Sequence, residues 1–265
     1  MRICNRLMSH VAGLAATVLL LAGPARADFD DHLYSSGHAD IGVEYAGGSS
    51  FRLFYEFGPE AVIDGTPNGN PPRIPDLDPG DATVIVPDAA QLTAPGGGIP
   101  FLSVTSGDPV WILPQSNSPG LPFLGFAATE ELEPSDWATP VTFTLTGFSG
   151  PSGGQFAVWQ TGSFGGTTVF MQTNDGIGVA DAVSKAAGVH DHFNLGFSAP
   201  GVYDITVTAA ATHADGTAVS GTGTFRFRVG TVVPEPSSLA LAATGLGGLT
   251  LAWARRRGRK PVTTR

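Results

Sequence analysis

Phe225-Arg226-Phe227-Arg228-Val229 alternates a large apolar residue with a cation at every step. Side chains of an extended strand point to opposite faces in turn, so this pentapeptide puts Phe225, Phe227 and Val229 on a dry face and both arginines in water. The pattern recurs. Phe51, Leu53, Tyr55 and Phe57 alternate with Arg52, Phe54 and Glu56, and Val141, Phe143 and Leu145 alternate with Thr142, Thr144 and Thr146. Period-two alternation with one wet face marks antiparallel sheet. Ala39 to Tyr45, Ala82 to Val86, Gln155 to Gln160, Thr167 to Gln172, Phe193 to Phe197 and Val202 to Ala209 read as further strands. With about nine strands separated by turns, the expected fold is all-β, an antiparallel β-sandwich of the Ig-like or jelly-roll type. Gly178 to Gly188 is the one stretch that reads as a short helix. Gly65 to Gly80, with five prolines and two asparagines, and Pro114 to Pro122 read as long loops.

Composition agrees with many short strands and tight turns. The 265 residues include 36 Gly and 21 Pro, and charged residues make up 14%, against about 25% in ordinary soluble domains. The two ends differ from the middle. Arg2 and Arg6 form a basic start, Val11 to Ala22 an apolar run too short to span a bilayer, and Ala25-Arg26-Ala27 a small-x-small cleavage site. Together they read as a secretory signal peptide over residues 1–27, cleaved after Ala27, with export through the Sec translocon. At the other end Val233-Pro234-Glu235-Pro236-Ser237-Ser238 leads into the apolar run Leu239 to Ala254, after which six of the last eleven residues are Arg or Lys. Ser237 to Ala254 as a helix would span roughly 27 Å, close to the bilayer core of about 30 Å. Thr244, Gly245, Gly247 and Gly248 make it less apolar than a permanent anchor, and the basic end keeps to the cytoplasmic side. The expected organisation is a signal helix (1–27), a β-sandwich ectodomain (28–231) and a tail with a transmembrane helix (232–265).

Between Asp28 and Glu235 stand all 23 acidic residues and only five basic ones, Arg52, Arg73, Lys185, Arg226 and Arg228, for a net charge of −18. Phosphate binding needs a basic footprint, so nucleic acid is excluded as a partner. Such a charge suits a soluble surface protein or one that handles cations. Cys4, the sole cysteine, lies in the signal peptide and away from the end of its apolar run, so it is neither a disulfide partner nor a lipoprotein acylation site. The core alone must then stabilise the exported domain.

His190-Asp191-His192 places two imidazoles on one side of an extended strand, and His38-Ala39-Asp40 does the same for an imidazole and a carboxylate. Two such rings with an added oxygen suit a divalent ion, zinc above all. Strand-end histidines bonded to neighbouring backbone are the competing reading. The candidate metal ligands are His38, Asp40, His190 and His192, expected to converge at one end of the sandwich. Signals of catalysis are weak. Gly147-Phe148-Ser149-Gly150 lacks the spacing of a nucleophile elbow and reads as a turn. Glu130, Glu131 and Glu133 precede Pro134 in what reads as a solvated loop rather than a glycosidase pair. Asp76, Asp78 and Asp81 lack the EF-hand pattern because of Pro79 and the misplaced Gly80. Trp111, Trp137 and Trp159 are the only basis for binding a surface polysaccharide, and core packing explains them better.

The tail resembles the PEP-CTERM sorting signal of Gram-negative bacteria, whose three parts are all present in order. That resemblance implies cleavage at or near Val233-Pro234-Glu235-Pro236 by an exosortase, a transient inner-membrane intermediate, and then the cell surface or extracellular space. The ectodomain is similar to the choice-of-anchor M domain, first described in actinobacterial surface-anchored proteins. The similarity rests on Gly37-His38-Ala39-Asp40-Ile41, Trp111-Ile112-Leu113-Pro114-Gln115 with Pro119-Gly120, Leu124-Gly125-Phe126 and Gly150 to Trp159. It continues through His190 to Phe197, Pro200-Gly201-Val202-Tyr203 and Phe225 to Gly230. Leu195 departs from the Trp the family often carries there. The resemblance implies a domain without established enzymatic activity, attached by varied sorting signals, some of whose members accompany transport systems thought to handle metals. The first expectation is therefore a non-enzymatic structural or adhesive surface protein. The alternative is a surface module binding a divalent metal or small ligand through its histidines.

Overall fold

A computed structural model describes residues 32–45, 47–129 and 132–231. The signal and transmembrane helices expected at the two ends lie outside the described residues, as do Glu130 and Glu131. Among the described residues no helix is long and apolar enough to cross a membrane. The strands of the first half are β1 (His32–Tyr45), β2 (Phe51–Phe57), β3 (Val62–Ile63), β4 (Thr66–Pro67), β5 (Ala82–Val86), β6 (Gln91–Thr93), β7 (Pro109–Leu113) and β8 (Pro122–Ala127). Those of the second half are β9 (Val141–Ser149), β10 (Phe156–Thr161), β11 (Thr167–Gln172), β12 (Ala182–Lys185), β13 (His190–His192), β14 (Asn194–Phe197), β15 (Gly201–Thr212) and β16 (Ala218–Val229).

They form two sheets, a sandwich-like all-β arrangement. One follows the order β12-β9-β15-β16-β5-β1-β3-β4, with β2 and β8 also on β1 and β13 on β8; the other runs β11-β10-β14-β7-β6. The expected alternation holds. Phe225, Phe227 and Val229 are buried while Arg226 pairs its guanidinium with Asp204 across the sheet at 2.7 Å and 2.9 Å. The main core joins both sheets: Val84, Phe143, Val207 and Phe225 from the larger meet Leu113, Phe156, Leu195 and Phe197 from the smaller. Trp111 and Trp159 are buried, and Trp137 packs against the core beside Phe51. A second cluster, built from Leu102, Val104, Val110 and Trp159, covers the other face of the smaller sheet.

Three expectations need correction. The larger sheet is mixed, because β1 runs parallel to β5 and to β8, and β16 parallel to β5. Alternation reports which face of a strand is dry and carries no information about the direction of its neighbour. The strands number sixteen among the described residues rather than about nine: β3, β4, β6 and β13 have only two or three residues each, and β7, β8 and β12 lie where no alternation marks a strand. The supposed helix at 178–188 holds β12, which pairs antiparallel with β9 and buries Val183 in the core. Tertiary pairing overrides the weak helical preference of this Ala-rich stretch.

One strand serves two parts of the larger sheet. β1 pairs with β5 and β3 over His32 to Ser36, then with β2 and β8 from Gly37 onward. Gly37 sits between the two regimes with φ +85°, and a Cβ there would lie 2.2 Å from the Glu60 carbonyl oxygen. Only glycine takes this conformation without cost. The buried Tyr34 hydroxyl ties the bend together, donating to the Gly37 carbonyl and accepting from the Phe123 amide. The bend brings the second half of β1 beside β8, which in turn pairs with β13.

Candidate metal centre

His38 and Asp40 stand on β1, and His190 and His192 on β13, with β8 between them. Their strands alternate: Ala39, Ile41, Leu124 and Phe126 enter the main core, while His38, Asp40, Phe123 and Gly125 point to the opposite face. The four candidate ligands therefore meet on a sheet face, in the middle of β1 and β8, and not at one end of the sandwich as expected. Each offers one ligating atom, and these atoms all lie within 4.8 Å of one another. The imidazole of His38 is 4.9 Å from that of His192 and 5.9 Å from that of His190, centre to centre, and His190 and His192 are 5.6 Å apart.

Gly125 makes this meeting possible. It is opposite Asp40 on one side and opposite His192 on the other, so the three form one row across the sheet. Neighbouring strands are about 4.8 Å apart, which separates the Asp40 and His192 backbones by roughly 10 Å. Their side chains close that distance by leaning over the glycine. A Cβ at Gly125 would fall 2.2 Å from Asp40 Oδ1 and 3.0 Å from His192 Nδ1. Phe123, the next residue of β8 on this face, stacks on the His192 ring at 3.6 Å with an angle of 11° and fixes its plane.

The polar accounting is unusual. Asp40 is 2% exposed, yet its Oδ1 has no hydrogen-bond partner, and neither ring nitrogen of the buried His192 side chain has one. Buried polar atoms are nearly always paired, since an unsatisfied one costs about 1–3 kcal/mol. His192 Nε2 lies 3.9 Å from Asp40 Oδ1, too far for a hydrogen bond, while His38 Nε2 lies 3.3 Å from Asp40 Oδ2. Electrostatics divides the two rings. The hydrogen bond to Asp40 raises the pKa of His38 against the opposing effect of burial, with Glu60 and Glu56 adding to the rise. Burial lowers that of His192 to about 4, only partly offset by Asp40, and the neighbouring His38 and His190 lower it further. His192 is thus neutral at physiological pH, with its lone pair free to ligate.

Three imidazole nitrogens and one carboxylate oxygen are a zinc-type donor set. A tetrahedral shell with bonds near 2.1 Å places donors about 3.4 Å apart, so contraction on the order of 1 Å from the present spacing completes it. Calcium and magnesium prefer six or more oxygens and fit poorly. Asp191, between the two histidines, turns the other way and pairs with Lys185 at 3.0 Å. His32 stands apart, bonded to Asp64 at 2.7 Å. Of the other acidic groups, Asp78 pairs with Arg52 and Glu133 is exposed. Sequence reasoning named all four residues of the cluster but missed Gly125, Phe123 and Glu56, which stands opposite Asp40 on β2. No local pattern marks them, because their roles come from cross-strand register.

Residues 232–257 match the family described as the PEP-CTERM protein-sorting motif. This carries the C-terminal signal and with it export, processing by an exosortase and membrane-associated sorting to the cell surface. No curated protein and no solved structure matches the chain.

Proposed function

We propose that this exported, exosortase-sorted protein carries a non-enzymatic surface module that binds a divalent metal, zinc for preference, through His38, Asp40, His190 and His192. A structural or adhesive role comes first from sequence alone, and the convergence of the four side chains reverses that order. The observation that carries the reading is the set of buried, unpartnered atoms on Asp40 and His192, which face the other two imidazoles. A cation satisfies Asp40 Oδ1 and one ring nitrogen of His192 at once. The ectodomain's resemblance to the choice-of-anchor M domain supports a surface module of this kind.

Four protein donors fill a tetrahedral shell and leave no position for a reactive water, the pattern of binding sites rather than catalytic ones. The G-x-S-x-G match Gly150-Pro151-Ser152-Gly153-Gly154 lies in the turn between β9 and β10 and not at a strand-to-helix elbow, and Cys4 is the sole cysteine. Mass spectrometry of the protein purified from zinc-supplemented cells should find about one zinc per chain, and none in the His190→Ala/His192→Ala variant. Equal zinc content in both, or none in the parent, would return the module to a structural or adhesive role.

A further inference from the structure

The face that holds the four donors carries more negative charge than a metal shell needs. Glu56 on β2 is directly opposite Asp40 on β1, and opposed residues project on the same face with Cβ atoms about 4.5–5.5 Å apart. The row of Asp40, Gly125 and His192 is thus four strands wide and begins at Glu56. Thr129 donates to Glu56 Oε2 at 3.1 Å and fixes the carboxylate there. Glu60 approaches from the other side of His38. A Cβ built at Gly58 would lie 2.9 Å from His38 Nδ1 and 3.2 Å from Glu60 Oε2, so the ring nitrogen turned away from Asp40 and the Glu60 carboxylate flank the same small gap.

Two cations near the site are held by other carboxylates. Lys185 is held by Asp191 on the opposite face of β13, and Arg52, on the same face of β2 as Glu56, is held by Glu44 and Asp78. Exposure grades across the site. Asp40 is buried, His38 and Glu56 are half-buried, and Glu60 and His190 are exposed. Glu60 and His190 thus stand at the solvent side of the site and Asp40 at its base.

We infer that the site takes its metal as the free hydrated dication, drawn in by Glu56 and Glu60 as outer carboxylates, and rejects metal presented as an anionic chelate. The inference rests on the metal-binding reading above and adds the form in which the cargo arrives. Charges within a Debye length, about 8–10 Å at ordinary ionic strength, steer an approaching ion and raise its association rate. The same field repels a complex of net negative charge. Neither glutamate is needed to hold the bound ion, because the four inner donors complete the shell, so their effect falls on entry.

Stopped-flow mixing of the full chain, purified in detergent, with Co²⁺ tests this, since cobalt reports tetrahedral nitrogen and oxygen coordination by its visible absorption. The expected result is an association rate that falls as salt rises. In Glu56→Gln/Glu60→Gln it should be about tenfold slower at low salt and nearly independent of salt, with dissociation unchanged. Cobalt supplied as its citrate complex should load the parent only as fast as free ion is released. Should Glu56→Gln disturb the fold by weakening the bond from Thr129, Glu60→Gln alone, at an exposed position, still gives a partial loss of rate. If the parent binds no Co²⁺, the metal reading fails and the inference with it. If the parent binds, and His190→Ala/His192→Ala does not, but the double glutamine variant associates at the parental rate or citrate-bound cobalt enters as fast as free cobalt, only the inference is overturned.

Discussion

Gly125 is the residue on which the centre turns, although it contributes no ligating atom. The three nearest atoms its absent side chain would meet belong to the site or its backbone: Asp40 Oδ1 at 2.2 Å, the Asp191 carbonyl at 2.6 Å and His192 Nδ1 at 3.0 Å. One methyl group would force the carboxylate and the imidazole apart. Gly125→Ala should lower stability by about 1–3 kcal/mol, the usual cost of overpacking, and weaken zinc affinity by at least about tenfold, as displaced support around a metal does. Urea unfolding and a zinc titration check the two parts separately, and an unchanged affinity would show that Asp40 and His192 do not act together. The donors themselves were readable, since His-x-His and His-x-Asp place side chains together by the period of a strand alone. Gly125 was not, because its neighbours across the sheet are 67 residues away on one side and 85 on the other.

At the scale of elements, β1 does the most to assemble the centre. Its first half belongs with β5 and β3 and its second with β2 and β8, and Gly37 separates them. Gly37→Ala would put a Cβ against the Glu60 carbonyl in a left-handed conformation. The backbone term alone costs about 1–2 kcal/mol. A total loss of at least about 2 kcal/mol is expected, read by urea denaturation with unaltered slope; a neutral effect would mean that β1 can change partners without this bend. Long alternating strands such as β2, β9, β15 and β16 were legible because each displays one wet and one dry face. β7, β8 and β12 were not. β8, Pro-Phe-Leu-Gly-Phe-Ala, is largely buried on both faces, so alternation vanishes where the site needs it most.

For the whole molecule the expected signature is stabilisation by zinc and not by calcium or magnesium. Ligand at about 100 times Kd adds about 2.7 kcal/mol to the folded state, or roughly 5–10 °C in melting temperature for a domain of this size. The shift should shrink as pH falls from about 8 to about 6. His38, whose pKa Asp40 raises, takes up a competing proton more readily as the pH falls, whereas burial holds His192 neutral down to about pH 4. A shift that grows on acidification, or one given equally by magnesium, would count against the site. Read as a string, this chain already determined its class and destination: alternation requires sheet, and the C-terminal sorting motif directs export. These properties depend on residues near one another in sequence. Strand direction, the bend at Gly37, the gap left by Gly125 and the carboxylates lined up beside Asp40 depend on which distant strands hydrogen-bond and in what register. Only the folded sheet decided those, because backbone pairing is blind to side-chain pattern beyond the choice of face.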